Sequence, residues 1–159
     1  MKEKILCFLM IIFSIQTYAQ NNACINALDN VLKESLGLSD QIQNMLSGAI
    51  ALDKRGMLNE RVNIEALSLY GNTLTAHALG LGNEINMRRL VSNRSPMIIK
   101  DIDEMVLNHA TVFYKNMVGT KERFDDEIPI LKNNNIRDDA RRVRDTISVL
   151  MQKYKACEN

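Results

Sequence analysis

The sequence IRDDARRVRDTISVLMQKYKAC, residues 136–157, decides the fold class of this chain of 159 residues. Apolar side chains recur in it at every third or fourth position, the spacing that places them on one face of an α-helix. They are Ile136, Ala140, Val143, Ile147, Leu150, Tyr154 and Cys157. Because this face ends on a cysteine, the last helix is predicted to carry a thiol toward the side that packs against other helices.

A second cysteine near the other end of the chain completes a pair. Cys24 begins the apolar face of the first predicted helix, while the remaining cysteine, Cys7, lies inside a predicted export signal. Two thiols that leave the reducing cytosol together are expected to pair. We therefore predict a disulfide between Cys24 and Cys157 that joins the first and last helices. Neither cysteine has a second cysteine or a histidine nearby in the sequence, so a catalytic or metal-binding role is not predicted for this pair.

The start of the chain has the three parts of a secretory signal, with a charged beginning, an apolar run from Ile5 to Ile15 and a short segment that ends at Ala19. The apolar run is shorter than the roughly 20 residues that a membrane-spanning helix needs. We predict that residues 1–19 are a signal peptide and that residues 20–159 form one periplasmic or secreted domain. No later apolar stretch approaches membrane length, so no integral membrane segment is expected after cleavage.

The composition argues against several classes of partner. With 20 basic and 19 acidic residues the chain is close to neutral, whereas binding to nucleic acid or anionic lipid depends on concentrated positive charge. The chain has no tryptophan and few other aromatic residues, so a surface for stacking bases or sugars is not expected. Nucleic acid is therefore not a predicted partner.

The rest of the chain is also predicted to be helical. Apolar residues keep a helical spacing in every segment, and the alternation typical of strands is absent from the sequence. The predicted fold class is all-α, an antiparallel helical bundle of four to five helices. Gly37, Gly56 and Gly119 are expected to mark helix ends. The predicted helices cover about residues 23–36, 39–55, 59–91, 96–118 and 136–157, with a short helix and a loop between 120 and 135.

Three glycines in the third predicted helix have different expected effects. Gly71 belongs to the apolar face, where the missing side chain permits another helix to approach closely. Gly80 and Gly82 each cost a helix roughly 1 kcal/mol, so this helix is predicted to be weakened there but continuous. The apolar face consists of Ile64, Leu67, Gly71, Leu74, Ala78, Leu81 and Ile85.

The chain has two histidines, His77 and His109. If the third and fourth predicted helices form a hairpin, both histidines lie at a similar distance from the turn. Facing histidines in a helical bundle can ligate a metal or a haem iron. Neither histidine has a carboxylate three or four residues away, and the Glu-x-x-His pattern of di-iron bundles is missing. No metal and no cofactor are therefore predicted, and the sequence leaves open whether the two rings face each other.

Two charged segments provide the candidate partner-binding residues. The first is an arginine edge on the last helix, whose spacing would present three guanidinium groups together. It consists of Arg137, Arg141 and Arg144. The second is an acidic segment with Glu122, Asp125 and Asp126 as its candidates. A second interpretation stays open for each segment. The aspartates between the arginines would neutralise the edge by pairing within the same helix, and the acidic segment would pair with the arginines inside the fold.

The sequence contains no specific catalytic motif. The carboxylates Asp101, Asp103 and Glu104 are interpreted as complementing the dipole at the start of the fourth predicted helix, so the chain is not expected to be an enzyme. The expected function is that of an exported, non-enzymatic binding protein, such as an inhibitor or immunity factor, whose partner is another protein. The alternative is a carrier of a small ligand, metal or haem in the bundle interior.

Overall fold

The computed structural model of the protein describes residues 2–53, 58–91, 96–154 and Cys157, and within them the side chains from Ala23 to Ala51 and from Glu60 onward. The described chain forms four long helices, and no strand occurs within these ranges. The helices are α1 (Lys2–Asp53), α2 (Leu58–Leu90), α3 (Pro96–Glu127) and α4 (Asn134–Tyr154), and a short 3₁₀ helix (Ile128–Ile130) precedes α4. The predicted all-α class is confirmed.

Consecutive helices run antiparallel. α1 packs against α2 and α4, and α3 packs against the same two helices, so the four enclose one core. The predicted apolar face of α4 is buried from Ile136 to Tyr154. The largest fully buried side chains are Phe113, Phe124, Leu28, Leu38, Ile42, Met45, Ile64, Leu67, Leu74, Leu81 and Ile85.

The predicted helix end at Gly37 is wrong, because α1 continues through Gly37 to Asp53. The two predicted helices on either side of this glycine are therefore one. Gly37 lies on the exposed side, while Leu38 and Ile42 continue the buried face of the preceding turns without a change of spacing. Burial of that continuous face outweighs the roughly 1 kcal/mol that a glycine costs a helix.

The predicted end of α3 before Gly119 is wrong for the same reason. Thr120 and Phe124 are buried in register with Met117, and α3 continues to Glu127. Pro129 then stops the α-helix, since proline lacks the backbone N–H that the next turn needs. The acidic segment is consequently the last part of a helix, and the loop before α4 covers only residues 131–133.

Asn133 caps the N-terminus of α4. Its side-chain oxygen accepts hydrogen bonds from the backbone N–H groups of Asn135 at 3.0 Å and Ile136 at 3.3 Å. The backbone N–H of Asn133 donates in turn to the buried carboxylate of Glu60 on α2 at 2.7 Å. This contact links the start of α4 to the start of α2, so the loop has a fixed place in the bundle.

Several sequence predictions concern the ends of helices. Pro96 begins α3, as predicted, while Gly56 lies outside the described residues.

The side chains of residues 1–22 also lie outside the described part, so cleavage after Ala19 stays a prediction. None of the described helices contains a stretch long and apolar enough to cross a membrane.

The predicted disulfide is confirmed. Cys24 and Cys157 are bonded to each other, with their Cα atoms 4.6 Å apart. Cys24 is buried at 3% exposure and belongs to the core on α1, and Cys157 packs against that core one turn beyond the end of α4. The bond therefore holds the first and last helices together at one end of the bundle.

Replacing both cysteines by serine is expected to lower the free energy of unfolding by up to about 5 kcal/mol, because the two cysteines are 133 residues apart in sequence and the closed loop restricts the unfolded chain. Urea denaturation followed by circular dichroism measures the change. A reductant should lower the midpoint of the wild type and leave that of the double variant unchanged. Equal wild-type midpoints with and without reductant would contradict the prediction.

Gly71 allows α1 and α2 to approach closely, as the sequence predicted. A Cβ atom built on Gly71 would lie 2.9 Å from Cγ1 of Ile42 on α1 and closer still to its Cδ1, whereas one built on Gly119 would meet no atom within 4 Å. Gly71→Ala is therefore expected to lower the free energy of unfolding by about 1–3 kcal/mol through overpacking. Gly119→Ala should raise it by up to about 1 kcal/mol.

Thermal and urea denaturation of the two variants test this contrast between matched substitutions in helices. If Gly71→Ala stabilised the protein as much as Gly119→Ala, a methyl group at position 71 would fit between α1 and α2, and the close approach would not require glycine there.

Candidate functional site

The two histidines meet between α2 and α3. Nδ1 of His77 lies 3.3 Å from Nε2 of His109, within hydrogen-bond distance. The ring centroids are 5.6 Å apart and the ring planes are inclined by 74°, so the two nitrogens point toward each other edge to edge. α2 is continuous through Gly80 and Gly82, as predicted, and this continuity keeps His77 in register with α3.

Glu84 is the third member of the cluster. Its Oε1 lies 2.9 Å from Nδ1 of His109, and since a carboxylate only accepts, the Nδ1–H of His109 donates to it. Glu84 follows His77 by two helical turns and lies on the same flank of α2. Spacing along α2 indicated this shared flank, but only the position of α3 brings Glu84 to His109. We call His77, His109 and Glu84 the His–His–Glu cluster.

The cluster lies at the edge of the core and borders an open groove of about 400 Å³, lined by Thr73, Ala76 and the two histidines. The side chains of His109 and Glu84 are 23% and 21% exposed. Gly80 makes room for the His109 ring, because a Cβ atom there would lie 3.1 Å from its Cε1. Oε2 of Glu84 is buried and has no hydrogen-bond partner among the described residues.

The arginine edge is largely paired within its own helix. Arg141 binds Asp138 at 2.9 Å, and Arg137 donates to the side-chain oxygen of Asn134 and to the carbonyl of Lys132. These contacts are three to five residues apart and exposed, a class of interaction that contributes little to stability. The role of Arg137 and Arg141 in binding a partner stays a prediction.

The third arginine joins the two charged segments. Nη1 of Arg144 lies 3.1 Å from the carboxylate of Asp125 on α3, and its Nε lies 2.7 Å from that of Asp145. Asp125 also accepts a hydrogen bond from Lys121 one turn earlier. The fold therefore pairs one residue of the acidic segment with the arginine edge, while Glu122 and Asp126 are exposed beside it.

This pairing changes two ionisation equilibria. The hydrogen bond from Lys121, followed by that from Arg144, lowers the pKa of the Asp125 carboxyl. The hydrogen bond to Asp125 raises the pKa of Arg144. A carboxyl pKa that is lower in the folded state stabilises that state at pH values above the ordinary carboxyl pKa, and the stabilisation is lost as the pH falls through the lowered value.

α2 has a second apolar face that the sequence analysis missed. It points away from the core, and all of its positions are exposed except the half-buried Gly80. We call it the outer face of α2, and it consists of Val62, Ala66, Leu69, Thr73, Ala76, Gly80, Asn83, Met87 and Leu90. Its members are spaced alternately by four and three residues, the repeat that a second helix requires to pack along its length. That regular spacing was the signal available in the sequence.

Exposed apolar residues of α3 lie on the same side of the bundle as the cluster. Ile98, Met105 and Val112 follow one another at intervals of seven residues and are exposed. His109 lies between the last two on this surface and reaches α2 through His77. The two helices together therefore present an apolar surface with the groove between them.

Comparison of the chain with protein-family models, with curated proteins and with solved structures gives no match in any of the three. In the described part of the chain, no group of three or more histidine, cysteine, aspartate or glutamate side chains is arranged to hold a metal ion. The candidate functional features of the described chain are the outer face of α2, the His–His–Glu cluster and the charged segments.

Removing one cation from Asp125 should raise the pKa of its carboxyl. NMR titration of the side-chain carboxyl carbon is expected to give a midpoint below the ordinary value of 3.8 in the wild type and a higher midpoint in Arg144→Gln, because Arg144 hydrogen-bonds the ionised form. Arg141→Gln is the matched control, since Arg141 pairs with Asp138 instead. An equal shift in both variants would contradict a specific pairing between α3 and α4.

Proposed function

We propose that this protein is an exported, non-enzymatic binding protein that acts through protein–protein contacts, as an inhibitor or immunity factor does. The observation that carries the proposal is the outer face of α2. Four of its large side chains, Val62, Leu69, Met87 and Leu90, are exposed by 53%, 68%, 48% and 84%. Large apolar side chains exposed along one face of a helix are costly to leave in water and are typical of an interaction site.

The pattern of this face indicates the kind of partner. Its alternating spacing extends from Val62 to Leu90, about 42 Å along the helix axis at 1.5 Å per residue. Large side chains lie toward both ends, while Thr73, Ala76 and Gly80 keep the middle shallow. Small residues in the middle permit close approach of a second backbone, and larger ones at the ends supply buried apolar area. An amphipathic helix of a partner protein fits this surface.

The scaffold suits such a function. α2 packs into a core shared by all four helices, and a disulfide joins the first and last of them. A surface that is already in its bound conformation loses less entropy when the partner binds. The binding energy is then not consumed in ordering the helix that carries the site.

The arginine edge and the acidic segment supply a second, charged surface on α3 and α4. Exposed Glu122 and Asp126 lie beside the paired Asp125 and Arg144. Charges outside an interface act on association mainly through long-range attraction, which accelerates encounter and is weakened by salt. We assign this surface a steering role and assign the affinity to the outer face of α2.

Leu69→Asp is expected to weaken partner binding by about tenfold or more, since it places a charge in the apolar contact. The partner is first identified by crosslinking from a photoreactive residue at position 69 in host extract, and its dissociation constant is then measured with the purified protein. Asn72→Asp is the matched control, because it adds the same charge at an exposed position of the same helix. Both substitutions should leave the melting temperature nearly unchanged.

The double variant Arg141→Glu with Arg144→Glu separates the two surfaces. It should change the association rate and its salt dependence while the dissociation rate remains close to that of the wild type. If this variant lost binding while Leu69→Asp bound normally, the interface would lie on the arginine edge and not on the outer face of α2. Light scattering that shows a dimer broken by Leu69→Asp would instead assign the outer face of α2 to a second copy of the chain.

A further inference from the structure

We propose that His77 and His109 form a binding site for a divalent first-row transition-metal ion, with Glu84 positioning His109 from behind. The site would use Nδ1 of His77 and Nε2 of His109, and water from the groove would occupy the remaining coordination positions. It lies on the groove between α2 and α3, and it shares the groove residues Thr73 and Ala76 with the outer face of α2.

The distance between the two nitrogens fits a shared metal ion. They are 3.3 Å apart, and two nitrogen ligands at 2.0–2.1 Å from a tetrahedral ion are about 3.3–3.4 Å apart. The packing of α2 and α3 therefore brings the two rings close enough to share one ion. The two nitrogens now point at each other. Both rings must turn toward the groove so that their lone pairs meet at one ion.

The hydrogen bond to Glu84 prepares His109 for this role. The Nδ1–H of His109 donates to Oε1 of Glu84 at 2.9 Å, which leaves Nε2 without a proton and able to bind a metal. A carboxylate behind a ligating histidine fixes the tautomer and the orientation of the ring. In His77, metal binding shifts the single ring proton from Nδ1 to Nε2, so no net proton is gained or lost.

The local charge also favours a cation. Oε2 of Glu84 is buried and, within the described residues, has no hydrogen-bond partner, and an uncompensated carboxylate away from water is costly. A divalent ion on the far side of the His109 ring would compensate this charge. Glu84 thus supplies an observation independent of the histidine spacing.

The ligand chemistry selects the class of metal. Imidazole nitrogens suit Zn(II), Cu(II) and Ni(II), whereas Mg(II) and Ca(II) require oxygen ligands. Haem fits poorly, because its axial ligands lie on opposite faces of a porphyrin and nitrogens 3.3 Å apart leave no room for that ring between them. The groove of about 400 Å³ next to the histidines has space for the waters that complete a metal site.

Isothermal titration of the oxidised protein with Zn(II), in a form without a histidine tag, tests the proposal. We expect one ion per chain, and at least a tenfold loss of affinity in both His77→Ala and His109→Ala. Glu84→Gln, which keeps a hydrogen-bond acceptor but removes the charge, should weaken binding about 10–100-fold. Glu104→Gln is the control, because this exposed carboxylate on α3 pairs with Lys100 and is outside the cluster.

Proton NMR provides a measurement that does not depend on the variants. The chain has two histidines, so both imidazole Cε1–H signals of the wild type should shift or broaden together as Zn(II) is added. A shift of one signal alone, the absence of Zn(II) uptake, or uptake that survives both histidine substitutions would overturn the proposal. If His109→Ala loses its helical circular dichroism, the NMR result and His77→Ala decide.

Discussion

Burial of an uninterrupted apolar face along each helix is the constraint on which the rest of the structure depends. In α1 and α3 this face continues beyond Gly37 and Gly119, and the helices continue with it. A glycine costs a helix about 1 kcal/mol, whereas a large apolar side chain contributes roughly 1.5–3 kcal/mol on full burial. Leu38 and Phe124, which follow these glycines, are both fully buried. The balance therefore favours long helices over the shorter ones that the glycines alone would indicate.

α2 is the helix in which the same constraint has functional consequences. One face of α2 is buried in the core and its outer face is exposed. His77 and Glu84 lie on the flank between these two faces, next to α3. The nearby ion pair between Arg88 and Asp103 is mostly buried, with 14% and 7% of the side chains exposed. Displacing α2 along α3 by one turn would leave a buried charge without this partner, which is strongly destabilising. The pair thus fixes the register that brings His109 into the cluster.

Two charged residues have partners on other helices that their spacing in the sequence did not identify. Asp103 was interpreted as complementing a helix dipole, yet it pairs with Arg88 across two helices. Arg144 belonged to a predicted binding edge, yet it pairs with Asp125 on α3. The sequence allowed both outcomes in the second case, because a spacing along one helix shows which residues share a face and does not show what lies opposite. Partner binding by the exposed remainder of these segments stays a hypothesis.

The sequence by itself determined the helical class, the buried faces of α2 and α4, and the bond between Cys24 and Cys157, because each follows from a repeat within one helix or from the pairing of the two cysteines outside the predicted signal peptide. Only the tertiary structure decided where α1 and α3 end and which flanks of α2 and α3 meet. It alone brought Glu84 to His109 and His109 to His77. The physical reason is that local spacing fixes the direction of a side chain from its own helix axis, while the distance to a side chain on another helix depends on how the two helices pack.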